Sequence, residues 1–289
     1  MPRSTRSPRV WFVTGAGRGL GRAFVRAALD AGDRVVAVSR TADSLADLAA
    51  DPRVLTLVVD VTDRAAVFAA VERALERFGR LDVVVNNAGN LSMGFVEEYT
   101  EEQARAQMET NFFGALWVVQ AVAPVLRGQG AGHLVQISSI GGVVTGPTAG
   151  LYSASKYALE GMSEALAAEL APFGVAVTIV EPGGYWTGLY AAMGTTEPLA
   201  DYAQIREDLA AQAGGGSVDS DPALAAAAVL TLVDSDDPPL RLILGDVVLD
   251  AAIEAAHRRI ATWTAWAKVS RAAEHAIAAP AGRPVPAEA

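Results

Sequence analysis

For most of its 289 residues the chain alternates short apolar runs with helix-patterned segments. RVWFVT (9–14) precedes a helical pattern from Leu20 to Ala31, and DRVVAVS (33–39) precedes a short one over 42–50. RVLTLVVD (53–60) is followed by 63–78, LDVVVNNAG (81–89) by 100–127, and GHLVQISS (132–139) by 152–172. GVAVTIVEPGG (174–184) leads into a loop, then a helix near 222–235 and a last run, LRLILG (240–245). The runs are short, β-branched and nearly continuous in apolar residues, as expected of strands covered by helices on both faces. Such alternation predicts an α/β fold with a doubly wound parallel sheet of about seven strands and right-handed crossovers.

That architecture is Rossmann-like, and the length suits one domain. No repeat and no domain linker interrupts it. We expect a flexible N-terminus over 1–8, the domain over 9–275 with a substrate loop at about 186–221, and a disordered tail over 276–289. AGGGSVDSDP (213–222) reads as a flexible hinge in that loop. The 51% hydrophobic content fills a sizeable core, and the net charge of −10 argues against nucleic-acid binding, which wants a basic face. With no cysteine there is no thiol chemistry, and a reducing compartment fits. His133, His257 and His275 lack metal-ligand spacing, so no metal is expected. The opening MPRSTRSPR lacks the apolar stretch of a signal peptide, and ALAAAAVLTLV from Ala223 is too short to span a bilayer. The expectation is a soluble, cytoplasmic protein that binds neither membrane nor nucleic acid.

In doubly wound folds ligands sit beyond the carboxyl ends of the strands. The first such end reads TGAGRGLG, Thr14 to Gly21. Backbone amides at the helix start there can hold a pyrophosphate, and glycine lets the backbone approach it. Gly15, Gly19 and Gly21 fit G-x-x-x-G-x-G; Leu20 occupies the third glycine of the commoner G-x-G-x-x-G, and no G-K-[ST] is present. An acidic residue ending the second strand would bind a ribose 2′-hydroxyl and repel a 2′-phosphate. Here Ser39-Arg40 stands instead, with Arg18 inside the glycine turn. Two guanidinium groups and a hydroxyl make a phosphate cradle, which favours NADP(H) over NAD(H), although either arginine also reads as a solvated surface residue. Asp60 and Val61 end the third strand; Asp60 can accept from the adenine amine, or cap a helix, a role Thr62 or Asp63 suits better. NNAG (86–89) would lay Asn87, Ala88 and Gly89 beside the cofactor.

LYSASKYALEG (151–161) places Tyr152 one turn before Lys156 on an otherwise Ala-, Ser- and Leu-rich helix. At i and i+4 the two lie on one face, about 6 Å apart along the axis. A lone Tyr-x-x-x-Lys is common by chance, and becomes informative beside a cofactor site. A phenol is a poor base at pH 7. An ammonium about 4 Å away contributes roughly 4 kcal/mol at an effective dielectric near 20, or about three pKa units. Burial of the phenolate opposes this, so the net shift is smaller.

TGAGRGLG, NNAG, NFFG (111–114), ISS (137–139), YSASK (152–156) and PGGYWT (182–187) occur in the order found in short-chain dehydrogenases/reductases. The resemblance runs from about Val10 to Thr187, with a weaker echo to 245. It implies hydride transfer between a nicotinamide and a carbonyl or alcohol, with Asn111, Ser139, Tyr152 and Lys156 as the catalytic tetrad. Ser139 precedes Tyr152 by the family's usual thirteen residues; the neighbouring Ser138 reads as structural, and Tyr157 as packing. By the resemblance Tyr152 is the acid/base, Ser139 binds the substrate oxygen, Asn111 holds a relay water, and Lys156 reaches the nicotinamide ribose. Pro182, Gly183 and Thr187 resemble the segment contacting the nicotinamide half.

Tyr185 and Trp186 stand where relatives vary, so the pocket wall is expected to be aromatic, with Leu91, Met93, Val144, Leu189, Tyr190 and Met193 as neighbours; the same residues fit loop packing equally. No Lys or Arg lies in 91–96, 140–151 or 184–196. The expected partner is therefore a neutral, fairly apolar small-molecule ketone, aldehyde or secondary alcohol. Alternatives kept open are an NAD(H)-preferring alcohol dehydrogenase, a sugar-nucleotide epimerase and a non-catalytic dinucleotide sensor. The family also implies a homodimer or homotetramer through helices 100–127 and 152–172. The Ala-rich ALEGMSEALAAELA could supply that face, or lie against the sheet. After residue 246 an added amphipathic helix with Trp263 and Trp266 is expected to cover the pocket, the sheet edge or a partner.

Overall fold

Val10–Thr14 is buried along its whole length, as its unbroken apolar run requires. It is the central strand β1 of the computed structural model, which describes residues 7–189, 192–212 and 219–275. The other strands are β2 (Arg34–Ser39), β3 (Val54–Val58), β4 (Val83–Asn86), β5 (Gly132–Ile137), β6 (Val175–Pro182) and β7 (Arg241–Leu244). All pair in parallel in the order β3-β2-β1-β4-β5-β6-β7. The chain winds outward one way from β1 to β3 and the other way from β4 onward. The switch point therefore lies between β1 and β4, where a crevice opens at the carboxyl ends.

Helices α1 (Gly19–Asp30), α2 (Arg64–Phe78), α3 (Glu101–Met108), α4 (Gly114–Gln129) and α5 (Gly150–Leu170) connect the first strands. Then come α6 (Ala203–Gln212), α7 (Pro222–Val233), α8 (Asp246–Ala265) and α9 (Ala267–Ala272). On one face of the sheet Trp11, Val35 and Val83 pack with Phe24 of α1 and Val229 and Leu232 of α7. On the other, Phe12, Val84 and Leu134 pack with Val71 of α2, Val118 of α4 and Leu166 of α5. Each large side chain so buried contributes about 1.5–3 kcal/mol. Two cores on one sheet bear out the single-domain, doubly wound expectation.

Four expectations need adjusting. Over 42–50 the chain makes only a 3₁₀ turn, Asp43–Leu45, followed by turns, because Asp43, Ser44 and Asp47 leave too narrow an apolar face. The helix expected over 100–127 is broken by a π-turn, Glu109–Phe113, between α3 and α4. The strand expected through 89 ends at Asn86, because the amides of Asn87 and Ala88 turn to the Thr14 hydroxyl at 3.0 Å each. The loop over 186–221 is partly structured: it contains α6, and Gly194–Thr195 pairs in parallel with Ser92–Met93. The helix expected after 246 is α8, which buries only Ala252 and Ala255 and leaves Trp263 exposed; Trp266 follows it and is exposed too. Tyr190, residues 1–6, the glycine stretch 213–218 and the tail 276–289 lie outside the described residues. Among the described residues no helix is long and apolar enough to cross a membrane, and no His, Asp or Glu cluster is arranged to hold a metal ion.

Candidate active site

The crevice at the switch point is a cavity of about 330 Å³. Of the expected site residues it is lined by Gly15, Arg18, Gly19, Leu20, Ser39, Arg40, Asp60, Val61, Asn87, Ala88, Gly89, Ser139, Tyr152, Lys156, Pro182, Gly183, Tyr185, Thr187 and Leu189. Residues scattered over 175 positions of the chain (15 to 189) thus meet on one surface.

Its floor is the turn from β1 into α1. Gly15 and Gly19 sit at φ of 65° and 55°, in the left-handed region that glycine adopts freely. A Cβ on Gly15 would lie 2.8 Å from Asn87 Nδ2, and one on Gly21 2.2 Å from the Gly15 carbonyl oxygen. Gly21 itself does not line the cavity; its lack of a side chain lets α1 fold back onto the turn. Arg18, at the N-cap, makes no side-chain cap. The first-turn amides therefore lack a side-chain partner, and the helix end favours an anion there. Bare turn, uncapped helix and open cradle fit the pyrophosphate of a dinucleotide.

At the end of the cavity beyond β2, where the adenosine is expected, Ser39 Oγ lies 2.8 Å from Ser44 Oγ, which donates to the Thr41 carbonyl at 2.8 Å. Arg22 braces this turn through the Ser44 carbonyl and Asp47. Arg40 is exposed on the cavity, and among the described residues no acid pairs with it. Arg18 lines the cavity too, but its Nη1 donates to the Gly188 carbonyl, bridging the glycine turn to the segment after β6. Asp60 accepts from Thr62 N at 3.0 Å and Thr62 Oγ1 at 2.9 Å. Asp63, not Asp60, caps α2 by accepting from Ala66 N. Thr41, Ser44, Asn90 and Thr110 also line the cavity, beyond those expected. The hydroxyl-rich string SRTADS was the available signal for Thr41 and Ser44, masked by the helix expected there.

The opposite wall carries Ser139, Tyr152 and Lys156, the residues expected to handle the proton. Tyr152 and Lys156 share a face of α5, with Lys156 Nζ 6.0 Å from the centre of the Tyr152 ring. Lys156 is 5% exposed and donates from Nζ to the Ile137 carbonyl at 2.9 Å. Burial pulls its pKa from 10.5 down to about 8, and Glu160 works against that fall. Ser139 Oγ accepts from Gly141 N at 3.0 Å, which leaves its hydrogen to donate into the cavity. Ser138 instead donates to buried Glu160 at 2.5 Å, a bond within the protein body.

Asn111 is fully buried in the π-turn, behind the cavity wall. The turn aims its side chain inward, where Oδ1 accepts from Asn90 N at 2.9 Å and Nδ2 donates to Asn90 O and Ser155 Oγ at 3.0 Å each. Ser155 donates on to the Tyr152 carbonyl at 2.6 Å. Asn111 is thus tied to the start of α5 through a serine that sequence reasoning left out.

Tyr185, 8% exposed, supplies an aromatic wall, and burial pushes its hydroxyl pKa up. Trp186 is 68% exposed and lies in a separate groove between α1 and α7. Met93 lies in the short strand pair, and neither it nor Val144, Leu91 or Met193 lines the cavity. Tyr157 donates to the Val143 carbonyl at 2.6 Å and accepts from Arg259 of α8.

The chain matches the short chain dehydrogenase family over residues 9–198. It is 39% identical over 272 residues to oxidoreductase BOA17 of Botryotinia fuckeliana, covering 91% of this chain and 98% of that protein. A short-chain dehydrogenase from Streptomyces avermitilis superposes with a TM-score of 0.87 at 41% identity, over 94% of this chain and all of that one. Another, from Burkholderia cenocepacia in complex with NADP, gives 0.72 at 30% identity over 89% and 97% of the two chains. A third, from Burkholderia phymatum in complex with NAD, gives 0.74 at 26% over 85% and 92%. The chain belongs to the short-chain dehydrogenase/reductase family of oxidoreductases.

Proposed function

We propose that this chain interconverts a neutral, fairly apolar ketone or aldehyde and its alcohol, using NADP(H) in preference to NAD(H). The observation that carries the reading is the meeting of Tyr152, Lys156 and Ser139 on one wall of a cavity whose floor is the bare Gly15–Gly19 turn. When bound, the dinucleotide supplies or accepts the hydride. The chain's own residues supply the proton and the charge balance. Ser139 donates to the substrate oxygen and stabilises the charge that develops there. Tyr152 gives its phenolic proton to that oxygen in reduction and takes it back in oxidation. The Lys156 ammonium lowers the cost of the phenolate. Asn111 holds the start of α5 and is the expected support of a relay water. Pro182, Gly183 and Thr187 support the nicotinamide end.

Arg40, Ser39 and Ser44 support the 2′-phosphate preference, since a guanidinium flanked by hydroxyls suits phosphate and no carboxylate ends β2. The bond from Arg18 to Gly188 favours the second reading, an NAD(H)-preferring alcohol dehydrogenase, because it draws one of the two guanidinium groups away from the ribose. Cavity walls of Tyr185 and Leu189 support an uncharged substrate. Assembly as a homodimer or homotetramer in the cytoplasm is part of the proposal. Ala154, Gly161, Ala165 and Ala168 are exposed on the outer face of α5 beside Tyr157, Glu164 and Glu169, and such small residues suit close packing.

Replacing Tyr152 by Phe tests the mechanism. Turnover should fall by about 10²–10⁴-fold, while NADPH binding, read by quenching of the five tryptophans, stays within a factor of about two. Retained turnover would rule out Tyr152 as the acid/base.

A further inference from the structure

Beneath the catalytic wall lies a group of charges that the mechanism above leaves unused. Glu160 stands one turn after Lys156 on α5 and is 4% exposed. Its Oε1 accepts from Ser138 Oγ at 2.5 Å and its Oε2 from Arg241 Nη1 at 2.6 Å. The same Nη1 reaches Oε1 of Glu181, 1% exposed, and Nη2 reaches Glu164 Oε1 at 2.7 Å. The cluster therefore joins three segments that carry site residues. Ser138 adjoins Ser139, Glu160 shares a helix with Tyr152 and Lys156, and Glu181 precedes Pro182 and Gly183. Gly142 closes over it: a Cβ there would lie 1.9 Å from Glu160 Oε1.

The charges do not balance within the cluster. Three carboxylates face one guanidinium, and the next cation on these elements is Lys156. The titratable groups packed around Glu160 are Lys156 and Glu164 on α5, Glu181 on β6 and Arg241 on β7. Removing a partner from such a buried group leaves an uncompensated charge, so each contact constrains the others.

We propose that Glu160, fixed by Arg241, is a positioning residue for the reaction: it sets Ser139 through Ser138 and supplies the counter-charge for the Lys156 ammonium. Burial lowers the Lys156 pKa and Glu160, one helical turn away, acts against that fall, which supports the second half of this role. The inference rests on the proposed carbonyl–alcohol chemistry, but its first test needs no substrate. The chain has only two lysines, Lys156 and Lys268. Reductive methylation with ¹³C-formaldehyde gives each an NMR signal beside that of the α-amino group, and Lys268→Arg and Lys156→Arg assign the two.

In Glu160→Gln the amide oxygen can still accept from Ser138, but the negative charge is gone. The Lys156 signal should then titrate about half a unit to one unit lower, with Lys268 unmoved. The high-pH limb of kcat/KM for reduction should move the same way. Ser138→Ala keeps the charge and removes the tether. It should lower kcat about three- to tenfold, leave the KM for NADPH unchanged and not move the Lys156 titration. An unmoved Lys156 signal in folded Glu160→Gln overturns the inference, as does wild-type kcat in Ser138→Ala. Should Glu160→Gln not fold, Ser138→Ala decides on its own. Turnover that survives Tyr152→Phe refutes the broader reading instead, and the lysine titration still decides this one.

Discussion

Lys156 Nζ donates to the carbonyl of Ile137, the last residue of β5, at 2.9 Å. This bond ties α5 to the strand that leads into Ser139, so Tyr152, the proposed acid/base, and Ser139, the proposed oxyanion donor, sit in a fixed relation. The ammonium is held where water is largely excluded, and its pKa falls to about 8. In the free enzyme, kcat/KM for carbonyl reduction should therefore decline above about pH 8, as Lys156 discharges and the phenolate loses its cation. A pH–rate profile in the direction of reduction, flat through pH 9.5, would contradict this.

The same burial makes Lys156 a stability liability. Its folded pKa of about 8 lies below the unfolded value of 10.5. Between those values the unfolded chain binds more protons, so stability from this group rises with pH across 8–10.5 and is lowest below 8. Lys156→Met keeps the length of the side chain and removes the charge. At pH 7 it should gain stability on the order of 2–3 kcal/mol while abolishing turnover. Urea denaturation at pH 7 and pH 10 checks both parts: the gain should shrink at the higher pH. A variant less stable than wild type at pH 7 would mean that the bond to Ile137 outweighs desolvation.

Cofactor choice should depend on a glycine as much as on an arginine. A Cβ on Gly17 would lie 2.5 Å from Ser44 Oγ and 2.7 Å from Ser39 Oγ. Gly17→Ala should push both hydroxyls out of the adenosine end of the cavity and weaken NADPH far more than NADH. Arg40→Ala should raise the KM for NADPH about tenfold or more by removing a guanidinium there that no acid among the described residues holds, with NADH little changed. Parallel titrations of both variants with both cofactors measure this. Equal losses for NADPH and NADH would place the 2′-phosphate elsewhere.

The sheet was legible because its inner strands are buried on both faces, so apolar runs mark strands with little competition from solvent-facing polar positions. Gly15 and Gly19 were legible for a related reason: only glycine takes their φ without strain. Ser44 was not, because its value depends on Ser39 lying 2.8 Å away on another element, a tertiary fact. Asn111 was found by motif, but the π-turn that aims it inward has no period a sequence scan detects. Trp186 was read as a pocket wall from its place in the motif, yet the chain turns after Tyr185 and leaves the indole on the surface. Pairings across long separations were the hardest to anticipate. Glu160 and Glu98, each an ordinary surface-type residue in sequence, are buried only because distant cations reach them.

Glu98 shows what such a pairing does for the segment that follows Gly194–Thr195. Burial pushes its pKa up, but the Arg206 guanidinium, the Thr196 hydroxyl and the amides of Leu199 and Phe95 outweigh that and hold it at about 2. Thr196 donates at 2.7 Å, Leu199 N at 3.0 Å and Phe95 N at 2.9 Å. Phe95 stacks on Tyr202 with ring centres 4.1 Å apart. One carboxylate thus fastens residues 196–206 to the segment after β4, just beyond the strand pair at Gly194–Thr195. Because the folded pKa lies below the unfolded value of 4.5, the stability this group contributes is present above about pH 4.5 and is lost as pH falls through 2. The clasp therefore stays closed at every working pH. Glu98→Ala should release it, raising the KM for the carbonyl substrate about tenfold while the KM for NADPH and the pH profile stay as in wild type. Hydrogen exchange should quicken over 194–206 and not over α5. If exchange quickens there but the substrate KM does not move, the clasp serves stability and does not shape the substrate side of the cavity.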